Sequence, residues 1–539
     1  MGRHPKIAVF CIVAVLIAVL CVLAHFLLVT SPAKTRGRVT ISKATTYITE
    51  PLRPDGYPDY LGALNQQASR GVTPENNSAV LFWKAMGPGE IAKPCRERFF
   101  KMLGIPVLPE TGDYFISSER MFERWMAAKE QAILQLNAKG VNAFPEQFQL
   151  IMMRPWTKRE FPHWHDWLAR NEKPLALLVE ASKRPRRYDP LLCSDSDMVI
   201  ACLLPGPQSS REVARALVAR AMLRLGEGRT EDAWADLLAC HRLARLVGQG
   251  TTLVEMLVAV TIDGMASEAD QSLLEHAKLT APQIAAMRAD LAKLPPLPKM
   301  VDMIETGERF VFLDIVTTMA REGPSALSPL LGAARSESML KSAVDAVGVV
   351  AIDWDIVLRI GNSWYDRAVV AAREPTRAQR IKAMDAIQAE LRMVVGSART
   401  MDATSLGLLV LGNTRKAVSE RLGQILVGML LPAFSAASHA EDRATTRIEL
   451  NDLAFALAAY RADHGSYPVA LADLSPRYIA VVPKDTFNRD ADLHYKRQGN
   501  GYLLYSVGIN GADDGGRGTE DGRAGEGWDD LTVRVPAKP

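Results

Sequence analysis

A glycine-rich segment near the C-terminus concentrates side chains that carry oxygen. Eight carboxylates or amides stand among the glycines between Gly508 and Asp530. Calcium takes about six to eight oxygen ligands from carboxylates, amides and main-chain carbonyls on a flexible backbone. Without a cation, so many acids in one loop would repel each other. The composition therefore predicts a calcium site, and the alternative is a disordered acidic tail. The side chains are Asn510, Asp513, Asp514, Glu520, Asp521, Glu526, Asp529 and Asp530.

A second pattern, His163-Trp164-His165, has the spacing of a metal-binding pair on a strand. On a strand both imidazoles would share a face, whereas on a helix they diverge. The flanking residues favour a helix, and no third ligand is placed by spacing. A tryptophan-rich helix start that packs on the core is therefore preferred to a metal site.

Carboxylates also stand beside aromatic residues at Asp353, Asp355 and Asp366. Two carboxylates in one cleft can divide acid and base roles in catalysis. Acids on amphipathic helices more often form the solvated face, so we favour that interpretation.

Four cysteines outside the N-terminal apolar stretch are candidates for disulfides in an oxidising compartment. Cys95, Cys193, Cys202 and Cys240 form no CxxC pair and no other metal-ligand spacing. Their spacing leaves the pairing open.

Residues Ile7 to Val29 form a nearly unbroken apolar run. A bilayer core of about 30 Å needs roughly 20 apolar residues at helical rise. The run ends without a small-x-small cleavage site, which predicts a retained transmembrane helix instead of a removed signal peptide.

Length and composition indicate a multidomain globular protein. The chain has 539 residues, 48% hydrophobic and 23% charged, with a net charge of +3. This balance excludes disorder and a polytopic membrane protein, and it gives no electrostatic reason to expect nucleic acid. The predicted segments are the anchor (1–32), a mixed, mostly helical region (33–205), a tetratricopeptide-like α-hairpin region (206–300), a helical region (301–424) and an α+β module (425–539).

The C-terminal module is predicted to be a long helix followed by a small antiparallel sheet. Leu450, Leu453 and Leu457 recur at helical spacing and form one apolar stripe, expected to face a partner. Gly465 permits the left-handed residue that ends the helix. Residues 494–496 and 502–507 alternate like two strands of a hairpin. The predicted fold class is therefore mainly α with a C-terminal α+β module.

The module also carries a set of spaced residues: Leu457, Tyr460, Asp463-His464-Gly465, Tyr467-Pro468, Leu474, Tyr478, Pro483-Lys484-Asp485, Tyr502, Leu504-Tyr505-Ser506 and Gly508. This set resembles the head of the type II secretion major pseudopilin. The resemblance covers residues 425–535, about a fifth of the chain. It implies a helix carrying a small sheet, a calcium ion in the C-terminal loop, and assembly with pilin-like proteins into a periplasmic pseudopilus.

The resemblance also implies a ligand set for the loop. Ser506 is similar to the family's loop-entry serine, and Asn510 stands where an aspartate is usual. Asp529 and Asp530 fall on the closing acidic pair. An amide keeps an oxygen but loses a charge, so Asn510 should weaken calcium binding. The metal ligands expected are Ser506, Asn510, Asp513, Asp514, Asp529 and Asp530.

The chain departs from the family in where its apolar segment stands. Pseudopilins begin with a cleaved leader and a hydrophobic helix, whereas the pilin-like helix here is internal and follows polar residues 412–417. We therefore expect a tethered protein bearing a pseudopilin-like head, not an ordinary pilus subunit.

These inferences predict a single-pass membrane protein whose bulk is periplasmic, although the basic residues after the anchor argue for the opposite orientation. It is expected to be non-enzymatic, with the membrane and pilin-like or secretion proteins as partners, and with no nucleic acid or small-molecule substrate. One alternative is a hydrolase-like enzyme within residues 47–420, with the head as a targeting module. Another is an envelope scaffold whose head holds no ion.

Overall fold

The structure, a computed structural model, describes residues 37–127, 143–194, 198–202, 204–323, 352–399, 415–431, 434–489, 491–519, 521 and 526–536. It is mainly helical, with one long helix and a small antiparallel sheet near the C-terminus. The predicted fold class is confirmed at this level. The predicted membrane helix Ile7–Val29 lies outside the described residues.

Helices make up most of the described chain, joined by short 3-10 segments and by one π-helical turn, Ile304–Glu308. The helices are α1 (Tyr60–Ala68), α2 (Ser78–Met86), α3 (Arg96–Leu103), α4 (Ser118–Ala127), α5 (Ala143–Met153), α6 (Pro162–Arg170), α7 (Glu172–Ser182), α8 (Pro205–Gly226), α9 (Thr230–Val247), α10 (Leu253–His276), α11 (Ala281–Ala292), α12 (Met300–Met303), α13 (Arg309–Glu322), α14 (Trp354–Ala372), α15 (Arg377–Arg399), α16 (Arg415–Leu430) and α17 (Phe434–His464).

The strands all lie in the C-terminal part. β1 (Lys484–Asp485) pairs with β2 (Ala491–Asp492), and β3 (His494–Gln498), β4 (Gly501–Ser506) and β5 (Leu531–Val535) form a second sheet in the order β3-β4-β5. All these pairings are antiparallel. The predicted hairpin is therefore confirmed as β3 and β4, whereas β5 was not predicted.

The chain divides into two compact units that do not follow the five predicted segments. The first draws its described residues from Met1–Pro58, Phe312–Ser363 and Leu391–Met429. The second draws them from Asp59–Val311, Trp364–Glu390 and Leu430–Pro539. From residue 430 onward, the pilin-like residues thus belong to the same unit as the helices between residues 59 and 311.

The first unit is organised around buried Trp354 and Phe312. The segment after residue 37 is fixed to α14 by hydrogen bonds between its main chain and side chains of that helix. Asn362 Nδ2 donates to the Thr45 carbonyl oxygen at 2.7 Å, and the Thr40 N–H donates to Asp355 Oδ1 at 2.8 Å.

In the second unit, α8, α9 and α10 pack against one another, and a short turn joins α8 to α9. Two threonines set the starts of the helices that follow. Thr252 caps α10 through a reciprocal pair of hydrogen bonds with Glu255, and Thr280 does the same for α11 with Gln283.

Helix α17 is buried on two sides. On one side Phe455 meets Trp234 of α9 with ring centroids 5.8 Å apart, and Asn451 Nδ2 donates to Asp270 of α10 at 2.8 Å. The leucine stripe (Leu450, Leu453 and Leu457) lies on a different face of α17 and is also buried. Helix α17 contacts strands β4 and β5 as well. The apolar stripe expected to face a partner is therefore covered by the chain's own residues.

By length and composition alone, the stretch Arg415–His464, which carries α16 and α17, could cross a membrane. Half of its apolar window is buried inside the protein, as is common in core helices of soluble proteins. The stretch is weak evidence of membrane association.

Candidate metal centre

The sheet brings the two ends of the acidic loop together. Ser506, the last residue of β4, pairs in register with Leu531, the first residue of β5. Gly508 has φ +70°, and a Cβ there would lie 2.2 Å from the Asp529 carbonyl oxygen. A glycine is therefore needed for the loop to close against Asp529.

The closing pair Asp529 and Asp530 each use one carboxylate oxygen on the loop backbone. Asp529 Oδ2 accepts from the N–H groups of Ile509 and Asn510 at 2.9 and 3.2 Å. Asp530 Oδ2 accepts from the Gly516 N–H at 2.8 Å. The remaining oxygens, Asp529 Oδ1 and Asp530 Oδ1, are buried without a hydrogen-bond partner among the described residues. Buried oxygens left in this way are costly unless something pairs with them.

Asn510 and Asp514 complete the cluster. Asp514 Oδ2 accepts from Asn510 Nδ2 at 3.0 Å and from the Asp529 N–H at 3.3 Å. The nearby Arg517 donates through Nε to the Asp514 carbonyl oxygen and stacks on Trp528. Its cation therefore binds a main-chain oxygen and an aromatic ring.

The pKa of the Asp530 carboxyl group is affected by its burial and by the neighbouring acids. Burial raises the pKa of Asp530 to about 6, and the carboxylates of Asp514 and Asp513 add to the rise. The charged form of Asp530 is thus disfavoured in the folded loop when no cation is present.

We expect Asp530→Asn to change the pH dependence of stability in calcium-free buffer. The folded pKa of Asp530 exceeds the ordinary value of 3.8, so its favourable contribution is complete below about pH 4 and is lost as the pH rises through about 6. The variant lacks this loss and should become more stable than the wild type above pH 6, while the two converge near pH 4. Urea unfolding from pH 4 to 8 measures the difference. A difference that is constant across this range would contradict the assignment.

The other two expected ligands have different partners. Asp513 Oδ1 accepts from the Tyr505 hydroxyl and the Gly515 N–H, both at 2.9 Å, and the latter bond lowers the pKa of Asp513. Ser506 is buried, and its hydroxyl donates to Asp485 Oδ1 at 2.7 Å. The structure therefore gathers Asn510, Asp514, Asp529 and Asp530, but it directs Ser506 away from them.

Across the described ranges, no three His, Cys, Asp or Glu side chains are arranged as a ready metal-binding group. The acids of the loop alone do not form a closed set of ligands. A calcium ion there would also draw on the Asn510 amide and on main-chain carbonyls, both of which calcium accepts.

Asp485 and a second polar cluster were missed by sequence reasoning. Asp485 is fully buried and accepts from Ser506 and from the N–H groups of Phe487 and Val507. It therefore fixes the end of β4 to the turn after β1. The resemblance contained Asp485, but only as part of a turn.

The second cluster centres on buried His241. Its Nδ1 lies 2.6 Å from Asp263 and its Nε2 lies 3.0 Å from Asp270, while Asp263 also pairs with Arg245. Asn451 joins the cluster through Asp270. His241, Asp263 and Asp270 are at most 3% exposed, so they tie α9, α10 and α17 together beneath the surface. The seven-residue spacing of Asp263 and Asp270 on one helix face was the available signal.

His163 and His165 lie on a helix that packs on the core, as the sequence analysis preferred to a metal site. His163 and His165 lie on helix α6, whose Trp164 and Trp167 are each 1% exposed. The His163 ring packs against Trp125 with centroids 5.7 Å apart. The prediction of a tryptophan-rich helix packed on the core is confirmed.

The acids near the aromatic residues have structural partners. Asp355 accepts from the Thr40 N–H, as described above, and lies 3.8 Å from Arg359. Asp366 pairs with the buried Arg309 at 2.8 Å. Asp353 Oδ1 accepts from the Ile356 N–H at 3.4 Å, in the first turn of α14.

The structure also decides the cysteine pairing. Cys193 and Cys202 form a disulfide, with their Cα atoms 4.5 Å apart. Cys95 and Cys240 are buried free thiols.

Comparisons of the chain with protein-family models, with curated proteins and with solved structures found no match.

Proposed function

We propose that this protein is a membrane-anchored, extracytoplasmic component of a secretion or pilus-like assembly, with a calcium-binding pseudopilin-like module at its C-terminus. The observation that carries the proposal is the closing pair of the acidic loop. Asp529 and Asp530 each keep one buried carboxylate oxygen without a hydrogen-bond partner in the described chain. A divalent cation would supply the missing interaction.

The arrangement of the module supports the same function. A long helix lies against a small antiparallel sheet, and the acidic loop joins two neighbouring strands of that sheet. This is the order of elements that the resemblance to the major pseudopilin implies. In this proposal Asn510, Asp514, Asp529 and Asp530 hold the ion, which neutralises their charge and fixes the loop on the sheet.

The disulfide supports the proposed location. Such bonds persist in oxidising compartments such as the periplasm and are rare in the cytosol. Together with the apolar run Ile7–Val29, the Cys193–Cys202 bond favours a chain held at the membrane with its bulk outside the cytoplasm.

Partners in this assembly would be other pilin-like or secretion proteins. The contact would not use the stripe Leu450, Leu453 and Leu457, because the chain itself buries those residues. In this proposal the module therefore binds its partners through surfaces other than this stripe, while α17 stays packed on the other helices of the second unit.

Calcium should stabilise the full-length chain in detergent after treatment with a chelator. A concentration about 100 times the Kd adds about 2.7 kcal/mol to the free energy of unfolding. The double variant Asp529→Asn/Asp530→Asn should lose this increment, because amides keep the shape but remove the charges. Thermal unfolding with and without calcium measures it, and cross-linking to a purified type II pseudopilin should show the same calcium dependence.

Asp492→Asn is the matched control, because Asp492 is an exposed aspartate of the same module that pairs with Lys484. It should keep the full response to calcium. A wild-type chain with no response to calcium would contradict the proposal, and so would an undiminished response in the double variant.

A further inference from the structure

The middle of the acidic loop folds back onto one face of the sheet. Leu503 pairs in register with Arg534, and Tyr505 pairs with Thr532, so these four side chains share one face of β4 and β5. Gly516 is buried against this face. A Cβ on Gly516 would lie 3.0 Å from both Leu503 Cδ atoms and 3.2 Å from Tyr505 Cδ1. The loop therefore contacts the sheet at its centre as well as at its two ends.

Arg534 of β5 fixes the loop on this face. Its NH2 group donates to the Gly516 carbonyl oxygen at 2.7 Å and to Asp521 Oδ2 at 3.0 Å. The same Asp521 oxygen accepts from the Gly518 N–H at 3.0 Å, and the Asp521 side chain is 4% exposed. Solvent screens an ion pair little when one partner is buried in this way. We call the contact between Asp521 and Arg534 the latch.

The latch is connected to Asp530 through Gly516. Gly516 accepts from Arg534 with its carbonyl oxygen and donates its N–H to Asp530 Oδ2 at 2.8 Å. Asp530 is 3% exposed, and its Oδ1 is the oxygen that has no hydrogen-bond partner in the described part of the loop. Because Oδ2 is held by Gly516, the position of Gly516 also determines where Oδ1 lies.

The two latch residues lie outside the proposed ligand set Asn510, Asp514, Asp529 and Asp530. They would affect the ion only through the closure of the loop. When a site must close before it binds, its apparent Kd equals the intrinsic Kd divided by the closed fraction. A contact that favours the closed loop therefore tightens binding without contacting the ion.

We propose that the latch between Asp521 and Arg534 regulates the calcium affinity of the metal centre, an inference that rests on the calcium site proposed above. The latch closes the loop over the sheet and holds Asp530 in its binding position, so Arg534 is a positioning residue. The planar guanidinium can bind a carbonyl oxygen and a carboxylate together, whereas a lysine ammonium is a compact point charge. By linkage, bound calcium favours the closed latch to the same extent.

Calcium titration of the full-length chain in detergent, after treatment with a chelator, tests the proposal. Arg534→Lys keeps the charge but loses the paired contact, so the Kd for calcium should rise roughly tenfold, the value of one hydrogen bond to a charged group. Asp521→Asn should also raise the Kd. The double variant should bind no more weakly than Arg534→Lys alone, because both changes break the same contact. Calorimetry measures the Kd, and hydrogen exchange at the Gly516 amide, expected to be faster in both variants, measures closure.

Arg497→Lys is the matched control, because Arg497 is an exposed arginine of strand β3 in the same sheet. It should leave the Kd and the exchange rate unchanged. Calcium binding of equal strength by wild type and Arg534→Lys would overturn the latch and leave the calcium site standing. A loss of about a hundredfold in the double variant, the product of two independent effects, would also overturn the latch. A wild-type chain that binds no calcium would overturn the proposed function and the latch together.

Discussion

Replacing Asp236 by alanine is expected to destabilise the protein by about 3–5 kcal/mol, the cost of leaving a buried charge without its partner. The Asp236 carboxylate is fully buried on α9 and binds two arginines of α8. It accepts from Arg220 at 2.7 and 3.0 Å and from Arg224 at 2.7 Å. Arg220 is 3% exposed and would keep only a 3.4 Å contact to the exposed Glu172. Chemical denaturation measures the loss as a lower midpoint.

Asp232 offers a matched control one turn earlier on the same helix. It pairs with Arg229 at 2.9 Å, but both side chains are about half exposed. Exposed pairs of this kind contribute at most about 1 kcal/mol. Asp232→Ala should therefore change stability little, and losses of similar size in the two variants would contradict the assigned burial of Asp236.

Replacing Phe455 by alanine is expected to destabilise the second unit by about 3–5 kcal/mol, the usual cost of emptying a buried phenylalanine site. Phe455 is fully buried, and its ring meets Trp234 edge to face across the contact between α17 and α9. The loss should lower the stability of the helices and of the C-terminal sheet together, because α17 contacts both. Circular dichroism and hydrogen exchange across β4 and α9 would report the shift.

Val469→Ala is the control for this substitution. Val469 belongs to the same C-terminal region but is 79% exposed, so its truncation should fall within about 0.5 kcal/mol of the wild type. If Phe455→Ala lowered protection only in β4 and left α9 unchanged, the C-terminal module would be independent of the helices. That result would contradict the packing described here.

The sequence predicted helix ends and hairpins correctly where they depend on a glycine or on residues that are neighbours in the chain. Helix α17 ends at His464, and Gly465 adopts φ +74°. β3 and β4 form a hairpin joined by a two-residue turn that contains Gly499. The paired residues are therefore close together in the sequence. The same applies to α8 and α9, which are joined by a short turn containing Gly228 with φ +78°. β5 was missed because its pairing with β4 spans the whole acidic loop.

The candidate metal centre was predictable only in part. The concentration of acids between residues 508 and 530 was visible in the sequence, and so were Asp529 and Asp530 through the resemblance. The direction of each side chain was not. Ser506 is adjacent to the loop in sequence, but it is the last residue of β4 and its hydroxyl reaches Asp485.

The sequence by itself determined that this protein is mainly helical, that one helix precedes a small sheet, and that an oxygen-rich loop follows. These features depend on periodicity, glycine positions and composition, which act over a few residues. Only the tertiary structure decided that α17 is covered by α10 and α11, that Asp236 is buried between two arginines, and that Arg187 and Thr251 line one cavity. Such contacts join residues far apart in the chain, and they are selected by how whole surfaces pack and not by local spacing.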